Sequence, residues 1–453
     1  MNIWELCRNR ELGICGNDVR FQASNYWSHQ ANSPLVTPSV RPYPIRLESF
    51  PRRRPHDGLS PWRSISRREA LMEQLSDKLP NVLKERKLKL DQVNKMFASG
   101  WLSDHEIVMG TKCNKLLIYD LQKDRPTIIP SLRSSPAAHL VPMESNCGIH
   151  AISINPSRTM LATGADNPAD VAVYRLPGFE PNTVGEAAHC DWIFALEWLD
   201  DEFLLSGSRD SSIALWKFSL TPEDSSCCHV PWLKVGRSLP YPTAKPIIFR
   251  HLEKFDKVRA LAYNYKFQIA TSVSLNSYLH ILDIETFTQV QLQKMDHRFT
   301  ECVCMTHSPD EDMLVVGCRN YVAFFDARSL SLIKAVELPS SPVSMASRHL
   351  MPYGVRSISW RGSMVTLGTG AADILFFDVR KNDFHSCCCG KDSTLRISSG
   401  WTIQNELYYE IFNNSPVPNA VYTHCYDHSG TRLFTAGGPI AASIAGNFAS
   451  VWQ

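Results

Sequence analysis

Six cations recur at matching places along this chain, and their spacing suits the binding of an anion. Arg259 and Arg356 stand third in the apolar-alternating segments KVRALAY (257–263) and GVRSISW (354–360). Lys112, Arg209 and Arg319 stand third in the small-residue turns GTKC, GSRD and GCRN, and Lys257 lies two residues before Arg259. A guanidinium meets a carboxylate or phosphate with two parallel hydrogen bonds. Several cations around one concave mouth also focus their field there. Local acids such as Asp210 and Asp256 could instead hold these arginines in nearly neutral surface pairs. Recurrence in register favours a pocket, and its expected ligand is a carboxylate-rich peptide.

A second constellation is FFDAR and FFDVR, giving Asp326 with Arg328 and Asp378 with Arg380. Each pair could stabilise a turn on the rim opposite the cations. Enzyme signatures are missing: the chain has no phosphate loop, no HExxH and no GxSxG elbow. His189 and Asp210 lie near serines, but their spacing is that of a structural repeat rather than a catalytic triad. The bunched pairs and triplets Cys227–Cys228 and Cys387–Cys389 lack zinc-ligand spacing. Neither a metal nor a cofactor is expected.

The elements that must position the cations can be read from one blade. The segment SGSRDSSIALW (206–216), with His189 seventeen residues before Ser206, is a WD-type signature of His189, Ser206, Asp210 and Trp216. Weaker copies follow the same plan and close at Tyr119, Tyr174, Trp216, Leu282, Phe325, Phe377 and Trp452. Their steps of 55, 42, 66, 43, 52 and 75 residues reach or exceed the ~40–45 of a bare repeat. The excess places insertions near 123–146, 219–255, 331–353 and 382–418. The expected fold is all-β, a seven-bladed WD-repeat β-propeller over 92–453. Ring closure is expected to borrow a strand near 92–101. Residues 67–91 are expected to be a helical lead-in, with Leu71, Leu75 and Leu79 at four-residue steps. Residues 1–66 form a basic extension with a short helix near 2–12 carrying Trp4 and Leu6. Seven prolines between 31 and 61 make its middle a candidate for disorder.

Net charge is +2, but residues 1–68 hold eleven Arg, no Lys and five acids, leaving a slightly acidic body with 36 basic and 40 acidic residues. That balance does not argue for nucleic acid, which needs a longer basic track with stacking aromatics. No apolar run reaches membrane-spanning length, and the N-terminus lacks a signal peptide's apolar stretch. An intracellular protein with fourteen reduced cysteines is expected.

Four stretches carry a resemblance: LPNVLKERKLKLDQVNKMFASGWL (79–102), CGIHAISINPSRTMLATGADNP (147–168), DWIFALEW with SGSRD (191–210), and NAVYTHCYDHSGTRLFTAGGP (419–439). Over about 79–453 the chain resembles the WD-repeat substrate receptors of cullin-4 RING ubiquitin ligases. The resemblance implies a non-catalytic subunit that docks on the damaged-DNA-binding propeller adaptor. It implies presentation of proteins ending in two glutamates to the cullin-4/RING complex for ubiquitination, in both cytoplasm and nucleus. Lys112, Arg209, Lys257, Arg259 and Arg356 match basic positions of the family; Arg319 is added on register alone. The two FFDxR turns are similar to the family's WDxR adaptor signature, with Phe for Trp. NIWELCRNREL is similar to its N-terminal adaptor-docking helix, whereas the family's lysine-rich N-terminal segment has no counterpart here. A plain WD scaffold and a phosphopeptide- or RNA-binding propeller are the alternatives.

Overall fold

The computed structural model describes residues 78–453, apart from 91–92, 136–147, 221–240, 309, 340–353, 387–392, 399, 405, 407–408, 410–417 and 442. Trp4, Leu6, the proline-rich stretch, Cys227–Cys228 and Cys387–Cys389 lie outside the described residues. The strands form seven sheets in succession along the chain, the blades of a ring. The innermost strands are Met96–Trp101, Ile152–Ile154, Ile193–Trp198, Val258–Asn264, Cys304–His307, Val355–Arg361 and Asn419–Tyr426 for blades one to seven.

Buried apolar residues form seven clusters, and each lies between two neighbouring blades rather than at the centre of the ring. Alternation within each strand sends one side chain to the neighbour on either side. The centre is thereby left to a ring of side chains that belong to none of these clusters. Small residues end the second strands because the next blade comes close there. A Cβ at Gly110, Gly207, Gly317 or Gly368 would run into Ile149, Val258, Val355 or Val421 of the following blade.

The WD signature of blade three forms as its spacing predicts. His189 Nε2 lies 2.6 Å from Ser206 Oγ, and Nδ1 lies 2.7 Å from Ser212 Oγ. The Trp216 indole N–H donates to Ser206 Oγ at 2.8 Å. Asp210 accepts the Cys190 N–H at 2.7 Å and the Ser212 hydroxyl. Burial opposes the Asp210 charge, but His189 and these donors hold its carboxyl well below the usual range. Ser206 is fully buried and saturated by these partners, so its hydroxyl is not presented as a nucleophile. Blade seven keeps a remnant, with the Trp452 indole donating to Thr435 Oγ1 at 2.9 Å.

Two expectations need correcting. Met96–Trp101 does not close the ring; it is the inner strand of blade one. Closure is made by Glu85–Lys87, which pairs antiparallel with the last strand, Glu85 opposite Trp452 and Lys87 opposite Ser450. The lead-in is therefore not helical throughout: a helical turn at 78–82 precedes that strand, and residues 67–77 lie outside the described residues. The loop after the third strand of blade three also reaches back. Thr243–Ala244 adds a parallel strand to blade two at Val184–Gly185 before Ile248–His251 completes blade three.

Candidate functional site

Five of the seven inner strands begin with an irregularity that aims a side chain at the channel. Pairing skips a residue at Phe97, Phe194, Arg259 and Arg356, and again within Ala420–Thr423. A bulge of this kind re-aims the extra side chain. Together these strands line a cavity of about 350 Å³ at the channel mouth, ringed by Phe97, His150, Phe194, Arg259, Arg356 and Tyr422. In blade five the matching position is Val303, because Cys304 already pairs with Gly317 as Ala98, Ala195 and Ser357 pair with Gly110, Gly207 and Gly368. Cys304 stands third in CVCMTHS (302–308), as Arg259 does in KVRALAY, but is one residue past the ring.

The ring divides into an aromatic arc and a cationic arc. Tyr422 meets Phe97 edge-on at 5.1 Å, and Phe97 stacks on His150 at 4.3 Å. His150 meets Phe194 edge-on at 4.7 Å, and the Arg259 guanidinium lies 4.3 Å over the Phe194 ring. A rigid aromatic wall thus carries the first arginine. These aromatics come from four blades and were not evident from the sequence as a group. They are stacked on one another, which leaves few faces for a nucleotide base.

The turn cations fall in one tier above this ring. The Lys112, Arg209 and Arg319 amides donate to the carbonyls of Lys95, Trp192 and Thr300, at 2.7, 2.9 and 2.8 Å. Arg209 also lies 4.9 Å over Trp192. Burial, then Arg259, Lys112 and Arg209, push the His150 imidazole down to about 3, so it is neutral at physiological pH. Burial, then Arg356, brings Arg259 down to about 10. Burial also lowers Lys112. Lys112, Arg209, Arg259 and Arg356 are therefore brought together, and their mutual repulsion favours an anion among them. Lys257 is half-buried at the start of its strand, and its carbonyl accepts the Leu275 amide at 3.1 Å. Like Lys112 and Arg209, it stands outside the lining of the cavity itself.

One cation was missed. Lys95 stands two residues before Phe97, the offset of Lys257 from Arg259, and is 1% exposed. Its ammonium donates to the Ala441 carbonyl. Burial, then Lys112, lower it to about 7. Between that value and its unfolded one, the unfolded chain holds a proton that the folded chain lacks, so stability rises with pH across this window. The rise is at most about 1.4 kcal/mol per pH unit and is absent below pH ~7. Lys95→Met is expected to remove that slope, as measured by urea unfolding at about pH 6, 7.5 and 9.

Two carboxylates also stand at the mouth, and neither is one of the acids suspected from the sequence. Asp191 Oδ2 lies 3.4 Å from Arg209 Nε. Glu301 lies between two arginines, 3.1 Å from Arg356 Nη2 and 3.5 Å from Arg319 Nη1. Asp210 is absorbed in the WD network. Arg259 has no carboxylate partner among the described residues, and its Nε has no hydrogen-bond partner.

The FFDxR turns end the third strands of blades five and six, on the opposite rim from the cations. Asp326 accepts the backbone amides of Arg328 and Ser329 at 3.1 and 2.7 Å. Asp378 accepts those of Arg380 and Lys381 at 2.9 and 3.3 Å, and its other oxygen lies 3.6 Å from Arg380 Nη2. Each carboxylate thus caps its own turn. Among the described residues, no group of three or more His, Cys, Asp or Glu could hold a metal, and no helix is long and apolar enough to cross a membrane.

Residues 79–453 match the family model described as the DDB1- and CUL4-associated factor 12 beta propeller. The match spans the same residues as the resemblance read from the sequence and covers most of the chain, including every blade and every cation of the mouth. The chain belongs to the family of DDB1- and CUL4-associated factor 12 β-propellers.

Proposed function

We propose that this chain is the substrate-recognition subunit of a cullin-4 RING ubiquitin ligase and reads acidic C-terminal ends at the channel mouth. The observation that carries the reading is Arg259. It is a half-buried guanidinium with a shielded Nε, on an aromatic support and beside Arg356, with no carboxylate partner among the described residues. A chain ending in two glutamates brings three carboxylates within two residues. Charge-assisted hydrogen bonds to them contribute about 1.5–3 kcal/mol each before ordering costs. Lys112, Arg209, Arg259 and Arg356 are the proposed contacts, and Lys95 stands behind them as a buried cation. Lys257 and Arg319 are placed at the periphery. Such a receptor presents its captive for ubiquitin transfer and carries out no chemistry itself.

The adaptor named in the family description, the damaged-DNA-binding propeller protein, is proposed to bind on the other rim. Asp326, Arg328, Asp378 and Arg380 lie there, and Trp4 and Leu6 would dock in the adaptor's own groove. Opposite rims leave the mouth open while the receptor is bound. Work in both cytoplasm and nucleus fits this role.

The test is fluorescence anisotropy with a peptide ending in Glu-Glu, the same peptide amidated, and one ending in Lys-Lys. Only the free Glu-Glu end is expected to bind, and more weakly as salt rises. Equal binding of free and amidated ends would favour a plain scaffold. Stronger competition by phosphoserine peptide or RNA would favour a different anion.

A further inference from the structure

Glu301 is an acid placed where an acidic ligand would go. Its two oxygens face Arg356 and Arg319 at 3.1 and 3.5 Å. The Arg356 side chain is 13% exposed and that of Glu301 29%, so this pair is only partly wetted, unlike a surface ion pair. The supports are firm on both sides. Glu301 precedes Cys302 and Arg319 follows Cys318, two buried residues whose sulfurs are 3.3 Å apart. The Arg319 amide is also bound to the Thr300 carbonyl. Glu301 belongs to blade five and Arg356 to blade six, so the contact crosses the mouth's edge between blades. Arg259, in blade four, has no such acid among the described residues.

The two ring arginines are therefore not equivalent. Arg259 can accept a first carboxylate without displacing any protein group. Arg356 already holds Glu301 on Nη2, so a carboxylate that takes this nitrogen must displace Glu301. We propose that Glu301 is an internal competitor, a specificity-determining carboxylate that an acidic chain end must displace before a second acidic group can bind. The proposal rests on the reading of the mouth as an anion site. Its consequence is a threshold: a ligand with a single carboxylate stops at Arg259, and only a ligand with more can replace Glu301.

The test compares the wild-type chain with Glu301→Gln, and with Glu301→Ala as a second substitution, each checked for an unchanged thermal midpoint. The probes are peptides ending in Glu-Glu and in Ala-Ala, and inorganic tripolyphosphate. The Glu-Glu end is expected to bind the variants about ten-fold more tightly, a gain of about 1.4 kcal/mol. The Ala-Ala end, with its one carboxylate, should gain no more than about three-fold. An unchanged or weakened Glu-Glu affinity in both variants would overturn the proposal and make Glu301 a strut that orients the arginines. An equal gain for both peptides would overturn it too, leaving only a general charge effect. If neither protein bound the Glu-Glu end but tripolyphosphate bound the variants more tightly, the terminus reading would fall while the competitor role stood.

Discussion

Arg259→Met is expected to weaken binding of an acidic chain end by at least about 30-fold, roughly 2 kcal/mol, which is the low end for truncating one member of a buried charged contact. It should do so without lowering the thermal midpoint, and it could raise it. Arg259 is half-buried near Arg356 and Arg209, and desolvation with this repulsion already lowers its affinity for its proton. It has no carboxylate among the described residues, and its Nε has no acceptor. Folding the empty ring therefore leaves a charge uncompensated, a cost that apolar replacement removes. Methionine keeps an apolar side chain over Phe194 and gives up a cation–π contact of about 0.5–2 kcal/mol. Arg209 makes the contrast, with Asp191 at 3.4 Å and Trp192 beneath it. Its removal should cost more in stability and less in binding. Anisotropy and a thermal melt on the same samples decide the matter. Retained affinity in Arg259→Met would remove the anchor of the proposed pocket, and a collapsed midpoint would make Arg259 structural.

The ring was legible in the sequence because a blade repeats two local signals. One is period-two alternation; the other is a small residue where the next blade comes close, as at Gly207 and Gly317. The turn cations followed from that register. What the sequence hid has a common cause, the sequence distance between partners. Glu301 is 55 residues from Arg356, with blade boundaries between them. Phe97, His150 and Phe194 meet only when three strands converge. The slip from Val303 to Cys304 has a local cause. Every position of CVCM is apolar, so the pattern cannot say which of them faces the channel. Lys95 was missed through the assignment of its strand. Once Met96–Trp101 is an inner strand rather than a closing one, NKMF aligns with DKVR, and Lys95 takes the offset of Lys257.

That same reassignment sets the largest stability effect expected from any truncation. A chain beginning at residue 89 should lose its cooperative fold or melt at least about 10 °C lower, whereas one beginning at residue 78 should keep the full set of closing contacts. Glu85–Lys87 supplies the outer strand of blade seven and covers Gly446–Trp452. The Lys84 amide bonds to the Gln453 carbonyl at 3.0 Å, the Gln453 amide returns to Lys84 at 3.1 Å, and the Leu88 amide bonds to Ala449 at 2.9 Å. Ser450 donates its hydroxyl to Glu85 at 2.7 Å. Leu79 and Leu83 fill the cluster between blades six and seven beside Phe376, Phe448 and Trp452, and Leu88 fills the one between blades seven and one. Burying each such leucine contributes about 1.5–3 kcal/mol, so three of them approach the whole margin of a typical domain, ~5–15 kcal/mol. The loss also falls where a ring is weakest, since the first and last blades are joined by no covalent loop of their own. Residues 84–88 are the bond of the chain's beginning to its end, and an open ring would let Lys95 and Tyr422 part from the mouth they help to close. Calorimetry of the two truncations, with peptide binding alongside, separates the possibilities. Equal midpoints would mean that blade seven closes on three strands. Equal midpoints with lost binding would place the role of residues 78–88 in the site rather than in the fold.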